Sequence, residues 1–138
     1  MALADTGYWV ALANARDRWH DAAVAATREL RESPVVTWPV VTETCHLILT
    51  RLGVTAQLRF VEQMSRNAEI HEIGPDRLGA IHGLMEKYES LPMDVTDATL
   101  VLAATERGDG RILSTDWRDF DTYRWNDREP FHNLLRPS

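Results

Sequence analysis

Apolar residues follow two patterns along the chain, short continuous runs and longer stretches with helical spacing. Short apolar or β-branched runs that end at turn residues predict strands. These runs cover residues 2–4, 34–38, 69–73 and 111–116, with a candidate fifth strand at 123–125. Apolar positions that recur every three or four residues predict helices over about 8–13, 19–31, 39–52, 55–65, 76–88 and 94–107.

Strands and helices alternate along this pattern, which favours parallel strand pairing through right-handed crossovers. The predicted fold class is a three-layer α/β/α domain, with a central, mostly parallel sheet of four to five strands flanked by helices. The sequence contains no internal repeat, low-complexity tract or linker composition. A single domain over residues 1–138 is therefore expected.

The composition of the chain indicates its cellular compartment. The lone Cys45 cannot form an intramolecular disulfide. No apolar run approaches the ~20 residues of a membrane span, and the opening residues MALAD lack the basic and apolar regions of a signal peptide. We therefore expect a cytoplasmic protein without membrane association.

The net charge is −6, from 15 basic and 21 acidic side chains. This balance argues against a protein that coats nucleic acid through bulk electrostatics. It does not exclude a nuclease, since an enzyme that holds divalent cations needs a local excess of carboxylates. The placement of the acids therefore matters more than their sum.

Two carboxylates stand where predicted strands end. Asp5 follows the first strand and Asp116 ends the fourth, next to the hydroxyl residues Thr6, Ser114 and Thr115. In open parallel sheets, ligands bind outside the carboxyl ends of the strands. An Asp at a strand end is also a common cap of the following turn, so either residue alone is ambiguous.

Three further acids begin predicted helices. Glu43 lies near the start of the third helix, where interaction with the helix dipole is the simpler interpretation. Asp94 and Asp97 share the first turn of a later helix, with Asp94 the better cap and Asp97 the better ligand. If all five acids meet at one sheet edge, their repulsion calls for a hard cation, and oxygen ligands select Mg²⁺ or Mn²⁺.

Other catalytic templates are absent from the sequence. It has no phosphate-binding glycine motif, no G-x-S-x-G nucleophile elbow and no zinc-like spacing of histidines and cysteine. Near the fourth strand, Phe120 is expected in the core, while Asp119 and Asp121 are most simply turn residues.

Four segments together resemble the PIN domain, and within it the VapC-type toxins of bacterial toxin–antitoxin pairs. The segments are LADT at residues 3–6, VVTE at 40–43, MDVTDA at 93–98 and ILSTDWRDF at 112–120, in the family's order. The resemblance implies a metal-dependent endoribonuclease in which an acidic quartet holds Mg²⁺ or Mn²⁺ and water is the nucleophile. By position, the quartet is Asp5, Glu43, Asp97 and Asp116.

The same resemblance assigns accessory residues and partners. Asp94 is an accessory acid, and Thr6 and Thr115 orient carboxylates or substrate phosphate. Trp117 stands where the family often has a basic residue, which leaves Arg118 as a phosphate contact. The implied partners are RNA, a VapB-like antitoxin and a second copy of the chain.

The sequence leaves open the location of two tryptophans. Trp9 and Trp19 either pack in the core or line the groove for an antitoxin helix.

A catalytically silent PIN-like module that binds RNA or protein is one alternative function. A PIN nuclease of RNA processing, outside any toxin–antitoxin pair, is another.

Overall fold

The computed structural model describes residues 1–136. A parallel sheet of five short strands crosses this part of the chain in the order β3-β2-β1-β4-β7. A separate antiparallel hairpin pairs β5 with β6. The strands are β1 (Leu3–Ala4), β2 (Val35–Val36), β3 (Glu69–Ile70), β4 (Arg111–Leu113), β5 (Arg124–Trp125), β6 (Glu129–Pro130) and β7 (His132–Asn133).

Helices flank the sheet and connect its parallel strands. A 3₁₀ turn at Pro75–Arg77 leads into the fifth helix. The α-helices of residues 1–136 are α1 (Thr6–Ala13), α2 (His20–Glu29), α3 (Trp38–Leu52), α4 (Val54–Asn67), α5 (Leu78–Lys87), α6 (Val95–Arg107) and α7 (Trp117–Thr122). None of these helices is both long and apolar enough to cross a membrane. The predicted α/β class with a parallel central sheet is confirmed.

The central strand β1 is packed on all sides. Leu3 pairs with Val35 of β2 and with Ile112 of β4, and all three side chains are buried. Such continuous apolar runs are typical of parallel strands that are covered on both faces. Trp9 on α1 belongs to the same core at 2% exposure, and Phe120 on α7 is buried as expected.

The structure corrects two details of the predicted secondary structure. The predicted fifth strand at 123–125 lies in the β5–β6 hairpin, and the fifth strand of the main sheet is β7. Asn133 stabilises this edge, since its side-chain amide donates to the Ser114 carbonyl at 2.9 Å and its amide oxygen accepts from the Ser114 N–H at 3.2 Å. The segment after Asp116 is the short helix α7 rather than a turn.

Candidate active site

Adjacent strands β1 and β4 hold Asp5 at the carboxyl edge of the sheet. The Asp5 N–H donates to the Leu113 carbonyl at 3.0 Å, and the residue is only 8% exposed. Its Oδ1 accepts from the Thr6 N–H at 2.7 Å, and its Oδ2 accepts from the Ser114 hydroxyl at 3.1 Å. The carboxylate of Asp5 therefore has an orientation set by the first residue of α1 and by the residue that follows β4.

Asp116 and Asp94 cap helices beside Asp5. The Asp116 Oδ1 accepts from the Asp119 N–H at 3.1 Å, at the start of α7. The Asp94 Oδ1 accepts from the Asp97 N–H at 2.8 Å, at the start of α6, so the predicted cap is confirmed. These contacts occupy one carboxylate oxygen each, and capping is therefore compatible with a second role for the other oxygen.

Side chains from other elements orient the remaining two acids. The Tyr123 hydroxyl donates to Asp97 Oδ2 at 2.8 Å, and the Thr96 hydroxyl donates to Glu43 Oε2 at 3.1 Å. Tyr123 is fully buried, with its ring packed edge-on against Tyr88. The second contact joins α6 to α3, which brings Glu43 to the same edge as the aspartates.

One cleft of about 360 Å³ collects these acids. All five sequence-predicted acids line it, together with Asp119, which the sequence had suggested was a turn residue. Thr6, Gly7 and Thr115 belong to the same wall. Further lining residues are Val10, Asp17, Trp19, Leu47, Arg51 and Pro92.

The electrostatics of the cleft favour a bound cation. Burial, with the charges of Glu43 and Asp116, raises the pKa of Asp5 to about 6. Burial, with the charges of Asp5 and Asp94, raises the pKa of Asp97 to about 8. Burial and the contact with Asp116 raise the pKa of Asp119 to about 6. Each shift means that the charged carboxylate is disfavoured until a positive charge compensates it.

The acids line the cleft without converging on one point. Within residues 1–136, no three histidine, cysteine or acidic side chains lie close enough together to form a complete metal site. The Thr6 hydroxyl is buried and has no hydrogen-bond partner in this part of the chain, while the Thr115 hydroxyl lies against Gly7. The side-chain contacts to carboxylates come from Ser114, Thr96 and Tyr123, whereas Thr6 contacts Asp5 through its backbone N–H.

The cations near the cleft differ from the sequence prediction. Arg118 is exposed and lies outside the lining residues, although its charge acts on Asp119. Arg51 on α3 lines the cleft instead, and Trp19 joins it. A signal for Arg51 was present in the sequence, because Glu43, Leu47 and Arg51 recur every four residues and share one helix face.

Gly7 permits the close approach of α1 to the β4–α7 connection. A Cβ at Gly7 would stand 2.0 Å from the Thr115 hydroxyl oxygen and 3.1 Å from its Cβ. We expect Gly7→Ala to lower the free energy of unfolding by about 1–3 kcal/mol, as overpacking does in other cores. Urea unfolding measures this loss. Gly79→Ala, where the added Cβ meets nothing within 4 Å, is the control, and an equal loss in both variants would contradict the expectation.

Comparisons with known proteins show what the chain and its fold are similar to. No protein-family model matches the chain. Ribonuclease VapC26 of Mycobacterium tuberculosis is 27% identical over 121 residues, which span 87% of this chain and 90% of the relative. The crystal structure of M. tuberculosis VapC20, described as a sarcin-ricin loop cleaving toxin, matches with a TM-score of 0.79 at 19% identity, over 86% of this chain and 92% of that one.

The fold is that of a VapC-type PIN domain. The resemblance to VapC-type PIN domains that the four sequence segments indicated is therefore confirmed. Within this PIN fold, Asp5 and Asp116 follow neighbouring strands, while Asp97 and Glu43 come from α6 and α3. All four face one cleft, as the carboxyl-edge rule for parallel sheets predicts.

Proposed function

We propose that the protein is a divalent-metal-dependent endoribonuclease, the toxin of a VapBC-type pair. The observation that carries this proposal is the cleft at the carboxyl edge of β1 and β4, which is lined by seven acidic side chains. The pKa values of three of them, Asp5, Asp97 and Asp119, are raised. The similarity to a protein named as a ribonuclease and to one described as a sarcin-ricin loop cleaving toxin supports the same activity.

The donor set of the cleft fits Mg²⁺ or Mn²⁺. It consists of carboxylate and hydroxyl oxygens, the ligands that hard divalent cations prefer. Asp5, Asp97, Asp116 and Glu43 would hold the ion, with Asp94 as an accessory acid. When bound, such an ion supplies an activated water and positive charge against the phosphate in the transition state.

The side chains around the acids maintain their orientation. Ser114, Thr96 and Tyr123 each donate a hydrogen bond to one proposed ligand, which fixes the carboxylate plane before an ion arrives. A side-chain nucleophile is not required. Cys45 lies outside the lining residues of the cleft, and burial raises the pKa of its thiol, which disfavours the thiolate at neutral pH.

The proposed partners are RNA, a VapB-like antitoxin and a second copy of the chain, in the cytoplasm. Exposed apolar side chains on α3 and α4 support a protein-binding face, since patches of this kind mark interfaces. These side chains are Leu49, Leu52, Val54, Leu58 and Val61.

A cleavage assay tests the proposed activity. Purified protein is incubated with total cellular RNA and with labelled oligonucleotides, across a titration of Mn²⁺ or Mg²⁺ and with excess chelator. We expect cleavage that rises with the metal and disappears on chelation. Calorimetry with Mn²⁺ alone measures binding separately. Metal binding without cleavage of any RNA would instead favour a silent PIN-like module.

A further inference from the structure

The cleft contains a second set of side chains beside the carboxylates. Of the lining residues within 1–136, Arg51 is the one with a positive charge and Trp19 the one with an aromatic ring. Their chemistry differs from that of the proposed metal ligands. A guanidinium suits phosphate oxygens, and an indole suits the face of a nucleobase.

Arg51 lies on the same face of α3 as the proposed ligand Glu43. The two residues are eight positions apart, which corresponds to about 12 Å along the helix axis. Side chains of a helix lean toward its N terminus, so Arg51 leans along the cleft toward the acids. At this separation, Arg51 is placed for a phosphate that flanks the one at the carboxylates.

The guanidinium of Arg51 is available for this contact. None of the ion pairs that the structure describes within residues 1–136 includes Arg51, although seven acidic residues line the same cleft. The residue is exposed in the last turn of α3. An unpaired cation at the side of an acidic cleft is the feature that a polyanionic substrate needs there.

Trp19 is held in place by the loop between α1 and α2. Its backbone N–H donates to Asp17 Oδ1 at 2.8 Å, and the Arg18 guanidinium carbon lies 5.5 Å from the centre of its ring. The ring is partly exposed within the cleft lining, unlike the buried ring of Trp9. The side chain also packs against the hydrophobic core, so its ring provides a rigid stacking surface for a base.

We infer that the substrate strand runs past the carboxylates along α3, with a flanking phosphate on Arg51 and an unpaired base on Trp19. The inference rests on the proposed nuclease function and deepens it. A base that stacks on Trp19 has left its own base stack, which selects single-stranded or looped RNA over a duplex. Arg51 and Trp19 are substrate-binding residues in this arrangement and leave the reacting phosphate to the acids.

Steady-state kinetics on one RNA sequence, presented single-stranded and as a duplex, tests Arg51. We expect Arg51→Ala to raise KM about tenfold on the single strand while kcat stays within about twofold. The reason is that the lost contact stabilises the bound substrate and the transition state equally. The slope of log(kcat/KM) against log salt is expected to fall by about 0.7, the value for one phosphate contact on a single strand. Arg51→Lys is expected to restore the slope.

The control is Arg59→Ala, which removes the same charge from an exposed position on α4 outside the cleft lining. It is expected to leave both KM and the salt slope unchanged. Equal effects in Arg51→Ala and Arg59→Ala would overturn the assignment of Arg51. A wild-type protein that cleaves no RNA with Mn²⁺ would instead overturn the proposed function, so the two failures are distinguishable.

Trp19 is tested with the same substrates. Trp19→Leu is expected to raise KM about tenfold on the single strand, and Trp19→Phe to restore most of the loss, since a phenyl ring still stacks. Circular dichroism checks that both variants are folded. A change in kcat alone, or a wild-type enzyme that cleaves the duplex as fast as the single strand, would overturn the role of Trp19.

Discussion

Asp97→Asn is expected to abolish RNA cleavage and, in the same protein, to stabilise the metal-free fold. The loss of activity should reach at least ~1000-fold, because several kcal/mol of charge stabilisation in the transition state depends on the ion that this acid is proposed to hold. The gain in stability follows from the surroundings of Asp97. Burial, Asp5 and Asp94 raise its pKa from 3.8 to about 8.

The sign of the stability effect follows from this pKa. Well below pH 3.8, Asp97 is protonated in both the folded and the unfolded chain, so its raised pKa does not affect stability. As the pH rises from 3.8 toward about 8, the unfolded chain loses this proton while the folded chain keeps it, and the free energy of unfolding falls. Asn has no charge to bury and keeps an oxygen that accepts from Tyr123. The Asp97→Asn protein should therefore exceed the wild type by about 1–3 kcal/mol at pH 8 and match it near pH 4.

Urea unfolding in excess chelator at pH 4, 6 and 8 measures this difference, and the cleavage assay measures activity. Asp121→Asn removes a carboxylate from an exposed position on the same helix as Asp119, outside the cleft lining, and is the matched control. Added Mn²⁺ should stabilise the wild type and the control more than Asp97→Asn. Full activity of Asp97→Asn, or a lower stability than wild type at pH 8, would contradict the proposed site.

The positions of the acids were predictable because they depend on topology. Once β1 and β4 are recognised as parallel strands, Asp5 and Asp116 must leave the sheet at the same edge, and the first turn of α6 adds Asp97. This rule needs only the order of elements and the polarity of strand ends. It does not need the packing of individual side chains.

The residues that orient the acids were not predictable in the same way. Tyr123 is 26 positions from Asp97 in the sequence, and it lies between α7 and β5, the strand that packs against α6. The six residues of α7 are too few for a clear apolar period, and the two residues of β7, His132 and Asn133, are polar. Short elements of this kind are stabilised by tertiary contacts, so local patterns do not identify them.

Tyr123→Phe is expected to weaken Mn²⁺ binding by about 10- to 100-fold, the usual cost of removing a hydrogen bond that orients a metal ligand. The Tyr123 hydroxyl donates to Asp97 Oδ2 at 2.8 Å, while its ring is fixed by edge-on contacts with Tyr88 and Phe120 at 5.0 and 5.2 Å between ring centres. Phe keeps the ring and its packing and removes only the donor. Calorimetry with Mn²⁺ measures the affinity without RNA.

Tyr88→Phe provides the comparison that separates positioning of the acid from packing. The Tyr88 hydroxyl accepts from the Arg124 N–H at 3.0 Å and lies in the same aromatic cluster, outside the cleft lining. Each variant loses one hydrogen bond, so both should lose about 1 kcal/mol of stability. Only Tyr123→Phe should change the Mn²⁺ affinity. Equal affinities in the two variants would mean that Tyr123 supports the core alone, and that Asp97 keeps its orientation through the first turn of α6 without help from the Tyr123 hydroxyl.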